Sequence, residues 1–399
     1  MSELLGLEEA QRRLLSLISP GAIQWRTPTD AIGGYLSQDL LAMRTQPPAD
    51  LSAMDGYAIC GDGPWQKVGE SRAGMPFDQQ LANGQCTRIS TGAHMPQGSD
   101  RVLIQENAEA SGDSIALAPG QSAPPNQRHV RKRGFDFTQG EVVLSKGTHI
   151  EAGQIALALS AGHGRLPVHA TPTVAILDSG DELASDPSEC GPDQIPASNG
   201  AMIEAMVSPL GCDPLRLGPA SDRLEALATA LAKAEDVQIL ITTGGASVGD
   251  HDLVQQALRN WGAQIDFWKV AIKPGKPLMV ATRKREWGTQ IILGLPGNPV
   301  SSFVTAFLFA LPLIRAAIGD SAPLPKAHPL IAGEPLGPTG PREEFLRGIS
   351  DDGQVRLASS QDSSALLALA HSNCLIKRPR HSGKVAKGDP VSVYNLRNG

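Results

Sequence analysis

The chain has 399 residues and a formal net charge of −6, and 41% of its residues are hydrophobic and 19% charged. This composition is typical of a soluble protein of two to four domains, and the acidic balance argues against sequence-independent binding to nucleic acid or to an acidic membrane. The five cysteines are widely spaced and form no CxxC pair, which disfavours disulfides and zinc knuckles and favours a reducing cytoplasm.

The N-terminal residues predict an amphipathic helix over residues 2–19. Glu3, Glu8 and Glu9 stand where a signal peptide would need positive charge. The longest apolar run, residues 303–314, is too short to cross a bilayer. We therefore expect no membrane partner and no transmembrane segment.

Short strands and turns dominate the next part of the chain. Residues 46–137 consist of short β segments between turns. Residues 1–45 and 138–171, which flank them, have similar sequence patterns. This pattern predicts an α+β N-terminal domain that is interrupted by an inserted small β domain. The first helix could pack on the α/β domain that follows.

Two motifs in this N-terminal half carry polar residues. Asp55 lies at the centre of LSAMDGYAI, where turn chemistry alone would explain it. Arg131 belongs to the basic run RHVRKRGFDF, residues 128–137. Charge patterning leaves two readings of this run open, a solvated strand edge or a contact with a polyanion.

From residue 172 onward, buried strands alternate with helices. The strand candidates are residues 173–177, 213–217, 237–241, 265–270, 278–280 and 291–295. Asn199, Asp222 and Asn298 are suited to helix N-caps. The alternation predicts a three-layer α/β domain with a mostly parallel sheet over residues 172–320. Residues 321–399 follow a Pro-rich linker and are typical of a small β barrel or sandwich.

Two Gly-rich turns join predicted strands to helices: TTGGASVGDHD, residues 242–252, and GLPGNP, residues 294–299. In open α/β sheets, ligands bind where such loops and the helix N-termini meet, outside the carboxyl ends of the strands. The turns therefore predict a phosphate site. The residues assigned to it are Thr243, Gly244, Gly245, Ser247, Pro296, Gly297 and Asn298.

Carboxylates accompany these turns. They are Asp181 and Glu182 after the first strand, and Asp250 and Asp252 in TTGGASVGDHD. A carboxylate 4 Å from a phosphate would repel it by about 4 kcal/mol per pair of unit charges at an effective dielectric constant near 20. A divalent cation would remove the conflict, and Mg²⁺ typically binds one or two carboxylates together with phosphate oxygens and water. Helix capping is the alternative role for each acid.

The segment FWKVAIKPGKP carries Lys269, Lys273 and Lys276. Beside a phosphate pocket, these ammonium groups could hold a diphosphate or a small oxyanion. As isolated side chains they would be ordinary surface lysines. The sequence contains no recognisable nucleophilic triad, which favours catalysis by metal, cations and positioning.

Together, these motifs resemble the bacterial molybdopterin molybdenumtransferase family, to which gephyrin-type E domains are related. The resemblance rests on SAMDGYA, RISTGA, RKRGFD, SGDEL, TTGGASVGDHD, FWKVAIKPGKP and LPGNPVS, and it covers nearly the whole chain. The chain departs from the family at Ala197 of PASNG, where an Asp is usual, and in GGASVG, where GGVSVG is commoner. The resemblance implies four domains, which include an elongated α+β N-terminal domain and a C-terminal β barrel, in an elongated homodimer.

The resemblance also assigns residues to the two walls of an intersubunit active site. The wall from the partner subunit comprises Asp55, Thr91, Arg131 and Asp136. The α/β wall comprises Glu182, Asp222, Asp252, Lys269 and Lys273, with Glu182 and Asp252 as metal ligands. Arg342 and Ser363 match positions near the molybdate or the pterin. Catalytic roles are expected for Asp55, Asp136 and the five α/β residues, and substrate binding for the others and for Lys276.

The implied activity is the Mg²⁺-dependent insertion of molybdate into adenylylated molybdopterin, with hydrolysis of the adenylate to AMP, in the cytoplasm. A molybdopterin adenylyltransferase and a non-catalytic pterin-binding scaffold are the alternatives. SAMDGYA and the inserted domain argue against the first, and the retained carboxylates and lysines argue against the second. Transient contacts with the adenylyltransferase and with acceptor molybdoenzymes are also expected.

Overall fold

The computed structural model describes residues 4–244, 253–275 and 277–396, with the backbone alone for Phe267 and Trp268. At its centre lies a six-stranded sheet of mostly buried strands. In chain order, its strands are β1 (Val174–Asp178), β2 (Leu215–Arg216), β3 (Ile239–Thr243), β4 (Gln264–Lys269), β5 (Pro277–Arg285) and β6 (Gly288–Leu295).

This central sheet is mostly parallel, as the alternation of strands and helices predicts. Its order is β2-β1-β3-β6-β5-β4, and β5 alone runs against the other five strands. The reason is the short link between β5 and β6, residues 286–287, which forms a hairpin. A parallel pair would need a crossover of a dozen or more residues.

Helices cover both faces of the sheet. Ser198–Val207 and Pro299–Ala317 pack on one face, and Leu224–Ala232 and Leu253–Asn260 pack on the other. Successive strand residues alternate between the two hydrophobic cores, because side chains in a strand point to opposite faces in turn. The predicted three-layer arrangement is confirmed.

The long helix Pro299–Ala317 changes character along its length. It is α-helical over Pro299–Thr305, π-helical over Ala306–Ala310 and α-helical again over Leu311–Ala317. Its length and its mean hydropathy of 1.8 would suit a membrane span, but 83% of its apolar window is buried inside the protein. It is therefore a core helix of the α/β layers.

The first helix is shorter than the sequence predicts. It spans Leu7–Leu15 and not residues 2–19, because Leu5 is extended and forms a β-bridge with Val270. Residues 1–3 lie outside the described part of the chain. The helix packs on the long helix through its apolar face, and the Gln11 side chain donates to the Leu308 carbonyl at 2.9 Å.

The remaining N-terminal residues form two further units. One unit pairs Ile23–Arg26 with Leu166–His169 and Leu40–Leu41 with Val142–Leu144, and also contains the helix Ala152–Ser160. The other contains a six-stranded sheet, whose strands in spatial order are Arg101–Ile104, Gly56–Ile59, Gln85–Ile89, Trp65–Ser71, Ser114–Leu117 and Ala108–Ser111. The short strands Leu51–Ser52 and Val130–Arg131 pair beside it.

The C-terminal region is a closed five-stranded barrel. Its strands, in order around the ring, are Glu343–Asp351, Gln354–Leu357, His328–Ala332, Pro390–Asn395 and Cys374–Arg378, which returns to Glu343–Asp351. The helix Leu366–Ala370 belongs to the same region. Closure decides between the barrel and the sandwich, so the fold class predicted from the sequence is confirmed.

Candidate active site

A cavity of about 1350 Å³ lies at the edge of the central sheet where β1, β3, β4 and β6 end. Because the carboxyl ends of parallel strands share one edge of the sheet, the loops that follow these strands converge there. The barrel supplies the facing wall. The predicted site residues that line the cavity are Glu182, Thr243, Gly244, Lys269, Lys273, Pro296, Gly297, Asn298, Arg342 and Ser363.

Several predicted residues fall outside the part of the chain that the structure describes. They are Gly245, Ser247, Asp250, Asp252 and Lys276. Their assignments remain sequence-based predictions. Asp222 is described, but it is not among the residues that line the cavity.

Positively charged side chains from the α/β layers and from the barrel line the cavity. Lys269 ends β4, and Lys273 follows in a short strand, Ile272–Lys273, that pairs with Glu343 and Glu344 of the barrel. The Lys273 ammonium lies 3.1 Å from a Glu344 carboxylate oxygen, and 53% of the lysine side chain is exposed. Within the described residues, Lys269 and Arg342 form no ion pair.

Carboxylates lie near the loop that follows β1. Glu182 lines the cavity, and the Asp222 backbone N–H donates to the Asp181 carboxylate at 3.0 Å. Burial, together with the negative charges of Asp181 and Glu182, raises the pKa of Asp222. Asp222 is not the predicted helix cap, because the helix begins at Leu224 and its N-cap position is Arg223.

Asp178 is a cavity residue that the sequence analysis missed. It ends β1, is only 1% exposed, and accepts a hydrogen bond at 2.9 Å from the Arg216 guanidinium and another from the Thr243 hydroxyl. A buried carboxylate is stable only when it is paired and hydrogen-bonded in this way. The available signal was an acidic residue at the end of an apolar strand, directly before the SGDEL turn.

Asn199 has a different role from the predicted N-cap. It lies inside the helix Ser198–Val207, whose N-cap position is Ala197. Its side-chain amide donates to the Gly297 carbonyl at 2.6 Å and so ties this helix to the GLPGNP turn. Its carbonyl oxygen Oδ1 is buried and has no hydrogen-bond partner among the described residues.

Gly244 lines the cavity, but its backbone N–H already donates a hydrogen bond within the chain. Its φ of +96° is a conformation that favours glycine, and a Cβ there would lie 3.1 Å from the Ser179 carbonyl oxygen. Its N–H donates to the Leu295 carbonyl at 3.1 Å. The proposed donation from the Gly244 N–H to a phosphate therefore has no support in this structure.

Ser363 is held between the barrel and the long helix. The guanidinium of Arg347, which is 1% exposed, donates to the carbonyls of Ser360 and Asp362 at 2.9 and 3.0 Å. On the other side, the Asn298 amide donates to the Ser363 hydroxyl at 3.2 Å. Asn298 occupies the predicted N-cap position, but its side chain makes this contact and no capping bond.

The four residues expected on the partner wall lie away from this cavity. The Asp55 carboxylate accepts from the Thr91 N–H at 2.6 Å and from the Thr91 hydroxyl at 3.0 Å, and these two bonds lower the pKa of Asp55. Arg131 and Asp136 are exposed. None of the four lines the cavity formed by the described residues of this chain.

Three known protein families match this chain, each in a different part of the sequence. Residues 5–162 match the MoeA N-terminal region (domain I and II), residues 175–316 match a probable molybdopterin binding domain, and residues 329–396 match the MoeA C-terminal region (domain IV). Together, these three matches span most of the chain.

Individual relatives match over nearly their full lengths. The chain is 31% identical to a molybdopterin molybdenumtransferase of Haemophilus influenzae, with 98% of each chain covered. It is 32% identical to a molybdopterin molybdenumtransferase 2 of Mycobacterium tuberculosis, covering 92% of this chain and 94% of the relative. A solved molybdopterin biosynthesis moeA protein from Pyrococcus horikoshii superposes with a TM-score of 0.83 at 25% identity, covering 99% and 100% of the two chains.

Proposed function

Because the chain belongs to the molybdopterin molybdenumtransferase family, whose members act in molybdenum cofactor synthesis, we propose that it inserts molybdate into adenylylated molybdopterin and hydrolyses the adenylate to AMP. One observation carries the proposal. Lys269, Lys273 and Arg342 converge from two domains on a single cavity.

The cations suit the anions of this reaction. Molybdate is a dianion, and the diphosphate bridge of an adenylylated phosphate also carries negative charge. Lys269 and Arg342 would neutralise these charges and the charge that develops when the bridge breaks, since preorganised cations cost no reorganisation during the reaction. Water adds to phosphorus as the bridging P–O bond breaks, and the products are AMP and the free phosphate end of the pterin.

The carboxylate side fits a divalent cation. Burial and the negative charges of Asp181 and Glu182 raise the pKa of Asp222. Within the described residues, no group of three His, Cys, Asp or Glu side chains could hold a metal ion. Mg²⁺ needs only one or two carboxylates and takes phosphate oxygens and water besides. We assign Glu182 and, from its sequence position, Asp252 as ligands of an ion that would offset phosphate charge.

The same proposal includes a homodimer in which the partner subunit supplies Asp55, Thr91, Arg131 and Asp136. Two observations support it. These four residues do not line the cavity of their own chain, and large apolar side chains of the N-terminal units are exposed, as surfaces that bind another protein often are. Examples are Trp25 and Met43, which are 50% and 61% exposed.

The activity can be tested with purified protein, adenylylated molybdopterin, Mg²⁺ and molybdate. We expect AMP release that depends on molybdate and that Lys269→Ala reduces at least tenfold. Formation of adenylylated pterin from ATP would instead identify an adenylyltransferase, and tight pterin binding without turnover would identify a scaffold. For the intersubunit site, Asp55→Ala and Lys269→Ala chains should regain partial activity when they are mixed, and verified heterodimers without recovery would contradict it.

A further inference from the structure

A buried link of three residues joins the two lysines that line the cavity. Lys269 ends β4, and Lys273 ends the short strand Ile272–Lys273. Residues 270–272 lie between the two lysines, and each of the three is at most 1% exposed. The position of one ammonium group relative to the other therefore depends on how the backbone of this link is held.

Leu5, which precedes the first helix, holds the first part of the link. Its N–H donates to the Lys269 carbonyl at 2.9 Å, and its carbonyl accepts from the Ala271 N–H at 2.8 Å. These two hydrogen bonds form the parallel β-bridge between Leu5 and Val270. A residue near the start of the chain thus fixes the backbone of Lys269 relative to that of Ala271.

The barrel holds the next part of the link. The Glu343 N–H donates to the Ala271 carbonyl at 2.7 Å, and Ile272 pairs with Glu343 in parallel register. Ala271 is therefore bonded through its N–H to Leu5 and through its carbonyl to the barrel. Leu5 completes the connection between a lysine at the end of the central sheet and a lysine that is paired with the barrel.

Leu5 is itself anchored in the protein. Its side chain packs against the hydrophobic core that contains Val270 and Ile272. The helix that follows it, Leu7–Leu15, contributes Ala10 and Leu14 to the same core. A backbone that is paired and packed in this way is ordered before a ligand arrives, so binding does not have to order it.

We propose that Leu5 is a positioning residue of the anion site, whose two backbone hydrogen bonds hold Lys269 relative to Lys273 so that both ammonium groups contact one molybdate ion. This inference rests on the proposed function. Leu5 is not among the described residues that line the cavity, so it acts through the lysines and not on the ligand. Without these bonds, molybdate would have to order the backbone of the link when it binds.

The test is a calorimetric titration of molybdate into the full chain and into two Leu5 variants. Leu5→Pro removes the N–H that donates to Lys269, and it should weaken molybdate binding roughly tenfold, about the cost of ordering one backbone residue. Leu5→Ala is the matched control, because it keeps both backbone hydrogen bonds and loses only packing. We expect the control to bind molybdate within about twofold of the wild-type chain.

A double-mutant cycle separates positioning from a general loss of stability. Lys269→Ala removes one of the two ammonium groups whose relative position Leu5 fixes. Adding Leu5→Pro to this variant should therefore weaken molybdate binding less than about twofold. A purely structural effect would weaken binding by the same factor with and without the Lys269 side chain.

Urea unfolding checks that each variant is folded. If Leu5→Pro does not fold, deletion of residues 2–6 replaces it in both experiments, with the same results expected. The deletion places Met1 directly before Leu7, so it removes both hydrogen bonds of Leu5 and keeps the residues of the first helix.

Four results would overturn the assignment. They are a wild-type chain that does not bind molybdate, a folded Leu5→Pro or deletion variant with wild-type affinity, equal losses in Leu5→Pro and Leu5→Ala, and a loss that is the same in the Lys269→Ala background. Failure of the positioning role differs from failure of the proposed function. In the first case the wild-type chain would still release AMP in a molybdate-dependent manner, and in the second case it would not.

Discussion

Glu344 is expected to limit the affinity of the cavity for molybdate. Its carboxylate lies 3.1 Å from the Lys273 ammonium, and the pair is partly exposed, at 16% and 53% of the two side chains. Glu344→Gln keeps the shape and an oxygen that accepts from Lys273, but it removes the negative charge. The variant should therefore bind molybdate more tightly than the wild-type chain.

The size of the effect follows from the geometry. A molybdate bound to Lys273 would lie about 3 Å beyond the ammonium nitrogen, and so about 6 Å from the Glu344 carboxylate. Repulsion between a dianion and a unit charge at that distance is about 1.4 kcal/mol in a water-like dielectric, which corresponds to about tenfold in affinity. A lower effective dielectric in the cavity would enlarge the gain.

The measurement is a calorimetric titration of molybdate into the full chain at low salt. Glu343→Gln is the matched control. It lies next to Glu344 on the same strand, pairs with Lys377 at the same distance of 3.1 Å, and its side chain is 14% exposed. We expect this control to change the affinity less than about twofold. Equal gains in both variants, or a loss in Glu344→Gln, would refute the reasoning.

Two further predictions concern stability. Gly200→Ala should destabilise the protein by about 1–3 kcal/mol in urea unfolding, because the new Cβ would lie 2.2 Å from Asp178 Oδ2. Gly153→Ala is the control and should not destabilise the protein, because its Cβ would meet nothing within 4 Å. Asp222 has a raised pKa, so its charged form opposes folding at neutral pH and its protonated form does not. Asp222→Asn should therefore raise the urea midpoint at pH 7 without divalent ions, and a gain that persists at pH values below 3.8 would contradict this cause.

The architecture was predictable because local patterns determine it. Apolar runs of five or so residues predicted the strands of the central sheet, and the Gly-rich turns after them predicted the residues that line the cavity. Parallel topology brings such turns together whatever their distance along the chain. The sequence alone therefore predicts that Lys269 and Gly297 belong to one site.

The missed features depend on partners that are distant in the sequence. Asp178 owes its role to Arg216 and Thr243, which lie 38 and 65 residues away. Asn199 and Asp222 have the residue types of helix caps, but one side chain binds a distant carbonyl and the other residue lies before the N-cap position. The first helix was predicted too long because its preceding residue Leu5 pairs with Val270. Helix propensity includes neither a side chain's hydrogen bond to a distant carbonyl nor the pairing of a residue with a distant strand.

The short strand Ile272–Lys273 has a mechanical consequence for catalysis. It is hydrogen-bonded into the barrel, and the Glu343 N–H also donates to the Ala271 carbonyl at 2.7 Å. Lys269, three residues before this strand, is instead the last residue of a strand in the central sheet. We therefore expect a rotation of the barrel against the sheet to displace Lys273 more than Lys269. A change in the angle between the barrel and the sheet would then change the distance between the two ammonium groups, and with it the size of the anion that both can contact.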